Sequence, residues 1–93
     1  MGWVVYILRC GDSSLYTGIT DDLERRFAAH QAGKGAKYTR GRGPLTVEYC
    51  LEVANRPAAL REERRIKKLS RRQKEQLIIE AQFAQPQSEK NQQ

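Results

Sequence analysis

Residues 4–20 read VVYILRCGDSSLYTGIT, and how this stretch doubles back decides what the rest of the chain folds around. With Trp3 it opens on WVVYIL, a nearly unbroken apolar run rich in branched and aromatic residues. Such a run is expected of a strand covered on both faces, hence a central strand rather than an edge. CGDSS carries turn residues and LYTGIT returns to β-favouring chemistry, so a hairpin is predicted. Side chains alternate along a strand, and the turn decides which of them share a face. Pairing Tyr6 with Gly18 and Leu8 with Tyr16 puts both tyrosines on one face. A three- or five-residue loop permits this, and an unbulged four-residue loop does not.

Working outward, TDDLERRFAAHQAGKG predicts a helix over roughly residues 22–32. Thr20 or Asp21 can cap it, acidic residues lie near its positive end, and Gly33 stops it. Leu23, Phe27 and His30 fall near one face, with Arg26 one turn from both Leu23 and His30, so two apolar anchors aim Arg26 and His30 toward the margin of the sheet. GKGAKYTRGRGP, with four glycines and no acidic residue, reads as a mobile basic loop carrying Lys34, Lys37, Arg40 and Arg42 around Tyr38. LTVEYCLEV reads as a third strand. NRPAALREERRIKKL then predicts a helix with an Asn55 cap and an early Pro57, setting Leu60, Glu63, Ile66 and Lys67 on adjoining positions. Ser70 and Gln73 form a capping-box pattern opening a last helix that turns Leu77 and Ile78 inward. Residues 1–80 are expected to form one domain and residues 81–93 a disordered polar tail.

The fold class expected is α+β: a small, three-stranded, largely antiparallel sheet, first strand central, flanked by helices. Ninety-three residues suffice for one domain only, and 39% hydrophobic with 30% charged residues suits a thin core rather than disorder. No apolar run approaches the roughly 20 residues of a membrane span, and no cleavable leader is recognisable, so a soluble, cytoplasmic protein is expected. Cys10 and Cys50 lack the spacing of a zinc site or a disulfide framework and are expected as reduced thiols in core strands. The net charge of +6 favours a polyanionic partner. Between Arg25 and Thr46 there are six Lys and Arg residues and no acidic one, and a second basic cluster runs from Arg56 to Lys74, so two basic surfaces can flank a site.

Taken singly, each candidate group has an ordinary explanation. Strand tyrosines usually pack with a wet hydroxyl, an arginine can lie along the surface, and a lone histidine is more often structural than catalytic. In combination they have a precedent. VVY at Val4–Tyr6, YTG at Tyr16–Gly18, Arg26 and His30 on the first helix, and Glu63 in ALREERRIKKL follow one another in an order that resembles the GIY-YIG nuclease domain, over roughly residues 3–80. The resemblance is closest to small stand-alone bacterial members, in which GKGAKYTRGRGP and LxxExxIKxLS are familiar. Val4 stands where the family name has glycine, and Thr17 replaces the isoleucine of the second motif. Of the adjacent Glu62 and Glu63, Glu63 keeps register with Leu60 and Lys67, whereas Glu62 is rotated by about 100°.

The resemblance implies hydrolysis of phosphodiesters with one divalent ion, Mg²⁺ or Mn²⁺, held by Glu63, with water and phosphate oxygens completing its shell. Tyr6 matches the tyrosine proposed as general base. A phenol with an ordinary pKa of about 10 needs help in that role, from Tyr16, His30 or nearby cations, with Arg26 on the charged phosphate. Gly18 is expected to allow close approach of backbone or phosphate. Lys37, Tyr38, Arg40, Arg42 and Lys67 are expected to contact nucleic acid, Tyr38 by stacking. DNA is favoured over RNA, a protein partner is allowed, and the oligomeric state is undetermined. The alternative is a nucleic-acid-binding module with the same fold and little or no catalysis.

Overall fold

A computed structural model describes residues 2–84. The expected hairpin is formed by strand β1 (Trp3–Arg9) and strand β2 (Leu15–Thr20). The antiparallel register sets Tyr6 against Gly18, Leu8 against Tyr16 and Arg9 against Leu15, leaving a five-residue loop, so both tyrosines share a face. Strand β3 (Thr46–Val53) pairs antiparallel with the other side of β1, giving the order β2-β1-β3 with the first strand central. A register shift between Ile7 and Leu8 makes Glu48 the extra residue on β3.

Alternation along β1 divides the core. Val5 and Ile7 face Tyr49 of β3, Ala59 and Ile66 of helix α2 (Arg56–Lys67) and Ile78 of helix α3 (Arg71–Ala84). Tyr6 and Leu8 face Cys10 and Leu45, with Leu23 and Phe27 of helix α1 (Leu23–Gln31) packed alongside. Val5, Ile7 and Leu8 have no measurable exposure and Tyr6 is 1% exposed, as a strand covered on both faces must be.

Helix ends follow local chemistry. Asp22 caps α1 by accepting from the Arg25 N–H, one residue beyond the positions expected, while the Thr20 hydroxyl holds the Asp22 N–H. Gly33, with φ of +76°, ends that helix. Asn55 caps α2 through the Ala58 N–H. At α3 the reciprocal capping box is formed: Ser70 N–H donates to Gln73 and Gln73 N–H to Ser70. Helix α3 runs past residue 80, with Ala81 packed on the core, and the remainder of the expected tail, residues 85–93, lies outside the described residues. Among the described residues no helix is long and apolar enough to cross a membrane.

Two expectations change. Both cysteines are free, but only Cys10 is buried, in the loop after β1; Cys50 is exposed. Cys50 pairs with Tyr6 across the sheet and shares its face, whose aliphatic cover comes from α1, and on the β3 side of that face both Cys50 and Glu52 are exposed. The glycine-rich stretch is not a free loop either. It contains a 3-10 turn, Lys37–Thr39, in which Thr39 is 2% exposed.

Candidate active site

Tyr6 leaves the central strand and crosses toward β2, which it can do because Gly18 stands opposite. A Cβ on Gly18 would lie 2.6 Å from the Tyr6 hydroxyl oxygen and 3.0 Å from Tyr16 Cε2. The missing side chain therefore makes room for the two tyrosines. The Tyr6 hydroxyl reaches Nε2 of His30 at 2.9 Å in a buried hydrogen bond. His30 itself is 2% exposed and sits in the last turn of α1, where Leu23 and Phe27 seat the helix on the same face of the sheet.

Tyr16 completes an aromatic cluster, its ring centroid 6.4 Å from that of Tyr6 and 5.3 Å from that of His30. Outside it lies Tyr38, stacked on Tyr16 at 5.9 Å and 42% exposed, and outside Tyr38 the Arg42 guanidinium stands 4.4 Å from the ring centroid. Arg42 is no free cation: Asp12 of the hairpin loop bonds it at 2.5 Å. Both partners are substantially exposed, so a phosphate can displace Asp12 at small cost.

The charges around Tyr6 come from two helices. Burial raises the phenol pKa above its usual 10, and the charges of Tyr16 and Glu63 raise it further; the Arg26 guanidinium opposes them. His30 is pushed below 6.5, first by burial and then by Arg26, and is therefore a neutral imidazole near pH 7. Arg26 thus acts on both members of the hydrogen-bonded pair.

Glu63 belongs to α2, whose core residues Ala59 and Ile66 lie on the other face of the sheet, yet its charge reaches Tyr6. The two faces meet at the edge of β2. A depression of about 240 Å³ there is lined by Leu15, Tyr16, Thr17, Tyr38, Lys67 and Lys74. Lys67 bonds Glu63 at 3.1 Å. Glu62 points elsewhere: it pairs with Arg65 and lies by Tyr49, whose hydroxyl pKa is raised by burial and then by the Glu62 charge.

Among the described residues no group of three or more His, Cys, Asp or Glu side chains could cage a metal. One carboxylate does fit a hard ion that keeps most of its water and shares a phosphate oxygen, and the Glu63 side chain, 18% exposed, is accessible to such an ion. The pairing Lys67 is 54% exposed and free to move aside.

Tyr6, Tyr16 and His30 are thus in direct contact, Arg26 acts on Tyr6 and His30 and Glu63 on Tyr6 through charge, and Tyr38, Arg42 and Lys67 form the rim. Lys37 and Arg40 are exposed on the same turn, without a side-chain partner among the described residues. Three participants escaped sequence reasoning. Asp12 reads only as a turn residue, and Lys74 as one of many basic positions. Thr39 gave no signal inside a glycine-rich polar run, although its hydroxyl touches His30.

Comparison with known proteins identifies the family. The family model described as the GIY-YIG catalytic domain matches residues 2–76. The chain is 54% identical over 78 residues to the UPF0213 protein YhbQ of Escherichia coli O127:H6, covering 84% of this chain and 78% of that one. It is 57% identical over 76 residues to a UPF0213 protein of Cronobacter sakazakii, covering 82% and 80%. Two solution NMR structures are similar. A UPF0213 protein from Bacillus halodurans has a TM-score of 0.55 and 51% identity, with 84% of this chain and 83% of that one covered. A protein from E. faecalis has a TM-score of 0.64 and 34% identity, with 97% and 96% covered. An antiparallel sheet with its tyrosine strand central, and a match over nearly its whole described length, make this chain a member of the GIY-YIG catalytic domain family, which implies a nuclease-type function.

Proposed function

We propose that the chain is an endonuclease that hydrolyses phosphodiester bonds in nucleic acid, DNA in preference to RNA, with one divalent ion, Mg²⁺ or Mn²⁺, bound at Glu63. The observation that carries this reading is the buried Tyr6–His30 hydrogen bond, lying under the charges of Arg26 and Glu63 and beside a depression rimmed by lysines.

In this reading the phosphate lies along the β2 edge, contacted by Lys67, Lys74 and, once released from Asp12, Arg42. Tyr6 orients the attacking water and takes its proton, and neutral His30 accepts the phenol proton through Nε2. Arg26 stabilises the phosphate charge that grows in the transition state and favours the phenolate while it lasts. The ion at Glu63, when bound, supplies Lewis-acid stabilisation of the departing oxygen. Burial gives Tyr6 a high pKa and so holds the phenol protonated until substrate, cation and His30 act together.

The binding-module reading has one observation in its favour: the Glu63 carboxylate is already paired with Lys67. Cleavage of labelled linear, branched, single-stranded and RNA substrates, with Mg²⁺, Mn²⁺ or chelator, separates the two. The nuclease reading expects metal-dependent products, no cleavage by Glu63→Ala, and unchanged or slightly tighter binding by that variant, because a negative charge beside the phosphate is gone. Wild-type protein that binds but cuts nothing on the panel would give the binding module the lead.

A further inference from the structure

We infer that Thr39 is a positioning residue that sets the tautomer of His30, so that Nε2 is free to accept the Tyr6 proton. The inference rests on the nuclease reading for its purpose, but not for its geometry. The Thr39 hydroxyl is one of few buried polar groups among the described residues, and its oxygen lies 2.8 Å from His30 Nδ1 and 3.0 Å from the Ala36 carbonyl. A hydroxyl has one proton, and the carbonyl can only accept. Given to Ala36, that proton leaves the Thr39 oxygen to accept from Nδ1–H, and the chain runs head to tail: His30 Nδ1–H to Thr39, Thr39 O–H to Ala36. Nε2 then carries a lone pair and receives the Tyr6 O–H.

In the opposite tautomer the Nδ1 lone pair could accept from the Ala36 N–H, but it would face the Thr39 oxygen at 2.8 Å with no proton between them unless Thr39 gave up its bond to the Ala36 carbonyl. That N–H stands 3.4 Å away, at the long limit of a hydrogen bond. Nε2–H would then donate to the Tyr6 oxygen, and no lone pair would be available for the phenol proton. The contact is built into the chain: a Cβ on Gly35 would lie 2.3 Å from His30 Nδ1, so only glycine there lets the segment close over the ring. Thr39 lies between Tyr38 and Arg40, on the turn that bears the rim cations. The segment expected to clasp nucleic acid therefore also orients the proton acceptor.

His30 is the chain's single histidine, so its imidazole nitrogens can be observed by ¹⁵N NMR without assignment ambiguity. The wild type is expected to show a protonated Nδ1 and an unprotonated Nε2 at neutral pH. Thr39→Val keeps the shape and removes the hydroxyl, and is expected to shift the ring toward Nε2–H and to lower the cleavage rate about ten-fold, the order of one lost hydrogen bond. Thr39→Ser should restore both. A wild-type Nε2–H signal overturns the assignment, even if Thr39→Val fails to fold. So does a folded Thr39→Val protein with an unchanged Nδ1–H signal. Wild-type protein with the expected tautomer and no cleavage of any substrate would support Thr39 and count against the nuclease reading.

Discussion

The two faces of strand β1 are built from alternate residues of one heptapeptide and have almost nothing chemical in common. Val5 and Ile7 meet only aliphatic and aromatic packing from β3, α2 and α3, whereas Tyr6, one residue away, meets a histidine, an arginine's charge and a second tyrosine. One face can therefore be altered for stability and the other for chemistry with little crosstalk through the backbone. The sheet is narrow enough that they still meet at the β2 edge, where Glu63 arrives from the aliphatic side.

Tyr6→Phe breaks the comparison most sharply. It removes one hydroxyl while keeping the ring, and the cleavage rate is expected to fall about 10² to 10⁴-fold, as for other positioned proton-transfer groups. Stability should fall by about 1–3 kcal/mol, since His30 Nε2 loses its partner in the interior. Urea denaturation beside single-turnover cleavage distinguishes the two losses, and equal, small effects on both would remove Tyr6 from the chemistry. Ile66→Ala tests the other face. It should cost about 2–5 kcal/mol of stability, while the protein that remains folded cleaves within a few-fold of wild type.

The hairpin was legible because it depends on neighbours in sequence, and alternation reduced its register to a question of loop length, which the five-residue loop answers. Caps at Asn55 and Ser70 were legible for the same reason. The cover over His30 was not. Thr39 reaches it from nine residues on and Arg42 reaches Asp12 from thirty on, and nothing local marks a threonine or a glycine in GKGAKYTRGRGP as packed rather than mobile. Cys50 failed likewise, since strand chemistry does not say which end of a face a helix leaves bare.

A smaller effect sharpens the contrast through pH. His30 in the unfolded chain takes up a proton near 6.5, whereas burial and Arg26 hold it neutral to lower pH in the folded state. The unfolded state thus binds more protons just below 6.5. The stability involved is complete above that pH and is lost as pH falls through the lower folded value. The urea midpoint should be level above 6.5 and decline below it, and His30→Gln should flatten that decline. Glu75, held to about 2 by its bonds to Arg9 and then Arg71, contributes a separate decline between 4.5 and 2 that His30→Gln should leave alone. The smallest effect belongs to the rim. Replacing Lys37, Arg40 and Arg42 together by alanine should weaken nucleic-acid binding and make its salt dependence shallower by up to about 0.9 per lost phosphate contact, with little change in saturated turnover. A salt slope identical to wild type would take these residues out of the interface.

The pairing of Trp3 with Val53 gives the sheet a further property, which concerns the order in which it is made. On the ribosome β1 emerges first and can pair with β2 at once, but its other edge waits for β3. The 44 residues added after Arg9, up to and including Val53, take about 2–9 s at bacterial elongation rates of about 5–20 residues per second. For that interval the most apolar segment of the chain keeps an open strand edge, a template on which another chain can pair. Swapping synonymous codons to slow translation between β2 and β3 should lengthen that exposure and lower soluble yield, with no change in the protein finally made.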